Sequence, residues 1–260
     1  MLVYPQLASG ALSQYPVRRR QQSRTIVNSM ADGGWVKLTD PGAGTIEWDL
    51  SYTGLSDGEL LSLRQFFLAT EGSLNGFTFL DPTGNLLAWT DELTNAAWTA
   101  MPGLVLQSGI ADPVGGSKAW RVANSGGGPE SLSQTLNAPA VYTYCFSVWL
   151  RAAQPLSATV AVGSQSANCP VEDKWTGISV CGSGDPNGLS VAFGITVQGG
   201  AAIELYGPQV GAQASPSVYQ PSTRGGVYPE ARLQTNGFSF MTLAPNNHSA
   251  RVKVLYAEHL

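Results

Sequence analysis

Apolar and polar residues alternate in two separate regions of the chain, and the style of alternation changes between them. Over residues 45–52, Ile46, Trp48, Leu50 and Tyr52 share one face while Glu47, Asp49 and Ser51 share the other, the period-two pattern of a half-buried strand. Residues 24–30 and 35–38 read as strands on either side of an Asp32-Gly33-Gly34 turn. Asp40-Pro41-Gly42 reads as the next turn, so a three-stranded antiparallel meander is expected. The basic stretch before it, with Arg18, Arg19, Arg20 and Arg24, is expected to be a solvated loop. Ser56 and Glu59 have capping-box spacing, Leu60, Leu63 and Phe67 follow at i, i+3 and i+7, and Gly72 supplies a left-handed stop. Together they predict a helix over 56–71. A strand over 76–80 then ends at Asp81-Pro82, because proline has no N–H to give to a ladder.

From Asn85 the composition changes, and the earlier style returns only near the C-terminus. There residues 237–243 are strand-like, Ala244-Pro245-Asn246-Asn247 is a turn, and Ala250, Val252, Val254 and Tyr256 alternate with Arg251, Lys253 and Leu255. The simplest organisation is a β-rich host domain built from residues 1–85 and 225–260, interrupted by an inserted domain over 86–224. Within the insert, Tyr142, Tyr144, Phe146, Val148 and Leu150 make one core face, Val191, Phe193, Ile195 and Val197 make another, and Ile203 and Leu205 continue it. Ile178 and Val180 are expected to point inward from a strand over 174–181, and Trp120 with Val122 reads as core. Strands with one inner face and one polar-aromatic face are what a two-sheet jelly roll requires. The predicted class is therefore mainly β: a β-sandwich-like host domain with one helix, interrupted by an inserted jelly-roll β-sandwich.

The outer face of the insert holds the recognition chemistry. Trp149, Trp175 and Tyr206 supply flat apolar platforms, and Arg151, Glu204 and Gln209 supply groups able to fix hydroxyls, the mixture expected of a saccharide site. Asp112-Pro113 and Asp185-Pro186-Asn187-Gly188 read as turns.

Composition narrows the function. With 30 glycines, 16 prolines and 12% charged residues in 260, many short strands are favoured over a helical bundle. A net charge of −4 and a pI near 5.1 argue against a nucleic-acid surface. No apolar run reaches the length of about 18 residues that spans a bilayer, so no membrane insertion is expected. The opening MLVYPQLASG lacks a basic region followed by an apolar core, so no secretion signal is expected and lysis is the expected route of release. Cys145, Cys169 and Cys181 form no CxxC pair and are expected to be small thiols packed in strands, not a disulfide or a metal site. His248 and His259 lie in a strand-rich tail without metal-ligand spacing, so no metal and no cofactor are expected. Glycoside hydrolysis needs two positioned carboxylates and ester cleavage a nucleophile with a base. Asp91-Glu92 and Glu172-Asp173 read as loop charges and no GxSxG is present, so no enzyme is expected.

Two sets of strings carry a resemblance. RTIVNSMADGG, WDLSYTGLS and FFLATEGSLNGFTFLDP, with paired Phe66-Phe67, then Glu71-Gly72 and the Phe77-x-Phe79-x-Asp81 strand, resemble the host domain of phage distal tail proteins, including those of gene-transfer-agent-like particles. NLLAWTDELTNAAWT, YTYCFSVWLRA and IELYGPQVGAQASPSVYQPST resemble the carbohydrate-binding-module-like domain of phage tail and fibre proteins. That pattern has an asparagine-leucine opening, the strand from Ser147 to Arg151, and a closing Gly207, Gln209 and Tyr219. Where it often has an acidic residue after the closing glutamine and valine, this chain has Gly211. The resemblance implies a structural virion protein. It would form a ring, usually of six copies, at the distal end of the tail tube, touching the tube protein and the tip or hub proteins and displaying a domain that holds host-surface glycans. Its place would be the virion tail, assembled in the bacterial cytoplasm. The helix at 56–71 and the basic stretch at 18–24 are the expected ring contacts. A stand-alone lectin and a polysaccharide-degrading tail enzyme are the alternative readings.

Overall fold

The alternating run around Trp48 folds as the middle of a sheet whose strands come from both ends of the chain. The computed structural model describes residues 2–258, and His259 lies outside the described residues. In chain order the elements are β1 (Val17–Ser29), β2 (Trp35–Leu55), the helix α1 (Asp57–Ala69) and β3 (Phe77–Leu80). Next come β4 (Thr99–Ala100), β5 (Leu104–Ile110), β6 (Ala119–Asn124), β7 (Glu130–Leu136) and β8 (Tyr144–Arg151). They are followed by β9 (Leu156–Val162), β10 (Gln165–Val171), β11 (Thr176–Gly182), β12 (Val191–Val197) and β13 (Ala202–Gly211). The chain closes with β14 (Val227–Leu233), β15 (Ser239–Ala244) and β16 (Asn247–Ala257). It divides into two units: one holds residues up to Leu7, Ser13–Phe79 and the chain from Tyr228 onward, the other Ala8–Leu12 and Leu80–Val227. Among the described residues no helix is long and apolar enough to cross a membrane.

In the first unit the strand order is β1-β2-β16-β14-β3, with β15 added against β16. β16 runs antiparallel to β2, setting Val254 opposite Trp48, Val252 opposite Leu50 and Ala250 opposite Tyr52, all buried. The helix lays Leu60, Leu63 and Phe66 into the core. Tyr4 meets Phe66 and Phe79 edge-on at 5.3 and 5.4 Å, and its hydroxyl lies 2.8 Å from that of Tyr52, so two buried phenols satisfy one another. The capping box forms as the spacing predicts: Glu59 N–H donates to Ser56 Oγ (3.2 Å) and Ser56 N–H to Glu59 Oε2 (2.9 Å). Phe66, not Phe67, takes the core position, and Phe67 is half-buried against Phe238 at 5.8 Å.

Two expectations are corrected. Asp40-Pro41-Gly42 does not reverse the chain, because β2 continues through it. Pairing with β1 passes from Asp40↔Arg24 to Thr45↔Gln22, so residues 41–44 bulge opposite Ser23. A proline without an N–H and two glycines suit an unpaired bulge as well as a turn. The basic stretch is likewise not a loop: Arg18, Arg19, Arg20 and Arg24 belong to β1. The outer part of the β1–β2 hairpin is exposed on both faces, including Ile26, Val27, Met30, Trp35 (70% exposed), Val36 and Leu38.

The second unit is a sandwich of two antiparallel sheets, ordered β10-β9-β12-β7-β4 and β11-β8-β13-β6-β5. Tyr144, Phe146, Val148 and Leu150 of β8 face Phe193 and Ile195 of β12 and Val160 and Val162 of β9, all buried. Phe193 bridges the sheets, 5.5 Å from Tyr144 and 6.2 Å from Phe146. Ile178 and Val180 are only half-buried, because β11 is an edge strand.

Two surface carboxylates make the first unit acid-sensitive. Asp49 accepts from Arg251 Nε at 2.6 Å, and this bond, ahead of other effects, holds its carboxyl below the usual range. Asp57 lies 2.6 Å from Nε2 of the buried His248 and is held low chiefly by that contact. A pKa lower in the folded than in the unfolded chain gives stability that is complete above the unfolded carboxylate value of about 4 and is lost as pH falls through the folded values. The urea midpoint of the protein is therefore expected to hold from pH 7 to about pH 5 and then to drop. Asp49→Asn is expected to lower the neutral-pH midpoint and flatten part of that drop, read by circular dichroism; an unaltered acid branch in the variant would refute the assignment.

Candidate functional site

Because Phe146, Val148 and Leu150 point inward, β8 must present Ser147, Trp149 and Arg151 outward. Strand register then builds three rows across the outer face of this sheet. The middle row is Gly177, Trp149 and Tyr206. On one side lies Ser179, Ser147 and Gln209. On the other, Arg151 is opposite Glu204 and Glu204 opposite Arg121. Trp175, just beyond the Thr176↔Leu150 pair, sits beside Arg151, whose guanidinium stacks over its ring at 4.7 Å. The Trp149 ring lies over Gly177, where a Cβ would be 3.6 Å from the ring, an ordinary contact distance.

Two loops raise walls on this face. Pro113 and Val114 form one, and residues 216–219 form the other, enclosing a cleft of about 780 Å³ that includes Trp149, Trp175 and Tyr206. Asp112 accepts the backbone N–H groups of Lys118, Gly116 and Val114, which fixes the first loop and holds its carboxyl low. In the second wall the Tyr219 ring lies on Gly207, where φ is +64° and a Cβ would be 3.0 Å from the ring, and meets Tyr206 edge-on at 5.3 Å. The Tyr219 hydroxyl donates to Asp91 Oδ1 at 2.5 Å, and Lys118 Nζ donates to Asp91 Oδ2 at 2.6 Å. Burial, with the Asp91 carboxylate next, pushes the Tyr219 phenol well above its ordinary range, so it remains a neutral donor.

The six residues singled out from the sequence separate into three groups. Trp149, 40% exposed, and the half-buried Trp175 and Tyr206 line the cleft together. Arg151 and Glu204 form an ion pair of 2.5 Å beside it, and Arg151 braces Trp175 from there. Gln209 is corrected: it is 1% exposed, donates Nε2–H to Ser217 Oγ (3.0 Å) and accepts the Gln220 N–H at Oε1 (3.0 Å), leaving nothing for a ligand. The register shift between Tyr206 and Gln209 sets Gln209 opposite the outward-facing Ser147, but residues 217–220 lie over it and take its amide. The wall residues Pro113, Val114 and Val218 sit in loops and give no periodic signal; Tyr219 was visible only as part of the closing motif.

The cysteine expectation is also corrected. Cys145 and Cys181 stand directly opposite on β8 and β11 and are joined as a disulfide. A separation of 36 residues without a motif carries no trace of this pairing, which only the strand register reveals. It ties the edge strand β11, which follows directly on Trp175 and carries Gly177 and Ser179, to its neighbour β8. Cys169 is free, with burial pushing its thiol up. Thiol titration of the denatured protein is expected to find one reactive thiol per chain before reduction and three after; three before reduction would refute the disulfide.

Chemically, the cleft offers flat aromatic faces, the hydroxyls of Ser147, Ser179 and Ser217, and no carboxylate among its lining residues. Among the described residues no group of His, Cys, Asp and Glu side chains is placed to hold a metal. No protein-family model matches the chain, and no curated protein does. Among solved structures, the chain is similar to the enzymatically active domain of tailspike protein 4 of bacteriophage CBA120, at 14% identity over 51% of this chain and 22% of that one, with a TM-score of 0.39. It is similar to the C-terminal family 22 carbohydrate-binding module of Clostridium thermocellum Xyn10B, at 14% identity over 54% and 99%, TM-score 0.41. It is also similar to the tandem CBM22-1-CBM22-2 domain of Paenibacillus barcinonensis Xyn10C, at 18% identity over 53% and 49%, TM-score 0.42. The cleft, and not these likenesses, carries the functional reading.

Proposed function

We propose that the second unit is a glycan-binding module and that the whole chain is a structural protein of a phage or phage-derived tail. In this reading it forms a ring at the distal end of the tail tube and displays the module toward host-surface glycans. The observation that carries the glycan reading is the cleft in which Trp149, Trp175 and Tyr206 present aromatic faces between two walls. Sugar rings have apolar faces that stack on indole and phenol, and their hydroxyls need the short-range donors and acceptors that Ser147, Ser179 and Ser217 offer. In this reading the module holds its ligand without cleaving it.

Support for self-assembly comes from the β1–β2 hairpin. A two-stranded ribbon is marginally stable alone, and this one exposes Trp35, Leu38, Ile26 and Met30 to solvent. In a ring the same contact repeats by rotation, each copy giving one surface and receiving another, and repeated weak sugar sites gain avidity.

Trp149→Ala is expected to weaken binding to bacterial surface glycans by about tenfold or more, the effect of losing an aromatic anchor, with assembly unchanged. Unaltered signals on a glycan array would remove Trp149 from the site. Negative-stain images of the full chain are expected to show rings, and the double substitution Trp35→Ser with Leu38→Ser is expected to leave folded monomers. Rings that persist in the double variant would move the contact elsewhere, and a monodisperse wild-type monomer would favour a stand-alone lectin.

A further inference from the structure

Beside the aromatic row of the outer face runs an ionic one, and its far end is open. Tyr206 and Glu204 both point outward from β13 and stand two residues apart, so the rows are separated by about 7 Å along the strand. On one side of Glu204, Arg151 is already engaged, donating Nε–H to the carboxylate at 2.5 Å and stacking on Trp175. On the other side the register places Arg121, and beyond it Gln107 on β5. Arg121 is exposed and makes no hydrogen bond or ion pair with any described residue. It lines a second recess of about 380 Å³, together with Glu204, Gln154 and the small residues Ala201 and Ala202.

One carboxylate between two guanidinium groups leaves one positive charge unbalanced. A guanidinium presents paired N–H donors in a plane, the geometry that carboxylate and phosphate oxygens accept. We infer that this recess is a second subsite, next to the aromatic cleft, that takes the anionic substituent of a glycan whose neighbouring neutral ring rests on Trp149 and Tyr206. The inference depends on the glycan reading of the cleft and adds the ligand class: an acidic heteropolysaccharide carrying a carboxylate or a phosphate. Arg121 is the selecting residue, because Arg151 is committed to Glu204 and Trp175. A neutral glycan leaves Arg121 in water at no cost, so neutral chains still bind, only more weakly.

The test is an array bearing three groups of bacterial oligosaccharides, neutral, carboxylated and phosphorylated, probed with the full-length protein and with Arg121→Ala, Arg121→Gln and Trp149→Ala. The wild type is expected to bind one or both acidic groups about tenfold more tightly than the neutral group, with the gap narrowing as salt is raised. The two Arg121 variants are expected to lose that gap while keeping neutral binding, and Trp149→Ala to lose all three groups. Whichever acidic group shows the gap identifies the substituent. Equal binding of acidic and neutral glycans by the wild type, or a gap that survives both Arg121 variants, overturns the subsite and leaves the glycan reading standing. A wild type that binds none of the three groups overturns both.

Discussion

One buried carboxamide closes the unit that holds the cleft. Asn85 donates to the carbonyls of Pro208 (2.8 Å) and Gln220 (3.2 Å) and accepts the N–H groups of Leu87 (3.1 Å) and Val210 (3.0 Å). All its hydrogen-bonding capacity is used, so the incoming segment, the end of β13 and the outgoing segment form one knot. A buried amide that loses half its partners costs more than the pairs contribute when made, so the knot closes as a whole or not at all. Gln209 extends it through Gln220 and Ser217, the latter at the base of the wall that carries Tyr219. The outgoing chain must also pass close to the incoming one: at Gly225, with φ of +73°, a Cβ would lie 2.6 Å from the Leu86 carbonyl, so only glycine fits.

The same sheet then does two jobs on its two faces. Its inner face is apolar and filled, which fixes the backbone of β8 and β13, and a fixed backbone fixes the directions of Trp149 and Tyr206. Its outer face is held by polar pairs: Arg151 with Glu204 and Trp175, Asp91 with Lys118 and Tyr219. β11, an edge strand with one sheet neighbour, is tied to that neighbour by the Cys145–Cys181 bond. Aromatic platforms ordered before a ligand arrives spare the ordering cost at binding.

Much of this was legible because half-burial writes itself into alternation. Tyr144, Phe146, Val148, Leu150, Phe193 and Ile195 could be assigned to the core from period two alone, and Trp149 and Tyr206 to the opposite face by the same count. The capping box of α1 was equally readable, being a local spacing. What failed was whatever depends on a partner segment. Residues 41–44 look like a turn until β1 is seen to continue past them; Gln209 looks open to solvent until residues 217–220 are seen to lie over it; Cys145 and Cys181 look unrelated until β8 and β11 are laid side by side. The basic stretch misled for another reason. A strand exposed on both faces has no alternation to read, so β1 has the composition of a loop.

The place of the second unit in the chain follows from the first unit's sheet. β3 and β14 are neighbours there, although about 150 residues separate them in sequence. In a simpler protein a hairpin turn would join such strands. Asp81 N–H donates to the Gly226 carbonyl at 2.7 Å, so the two ends of the long excursion are held together at its root. The entropy of closing a loop grows only with the logarithm of its length, and a loop that folds into its own core removes most of even that cost. The strand pairing of the first unit therefore demands little of the second beyond adjacent ends. That freedom is what allows a second folded unit to be carried between two strands of a sheet without either core being redesigned for the other.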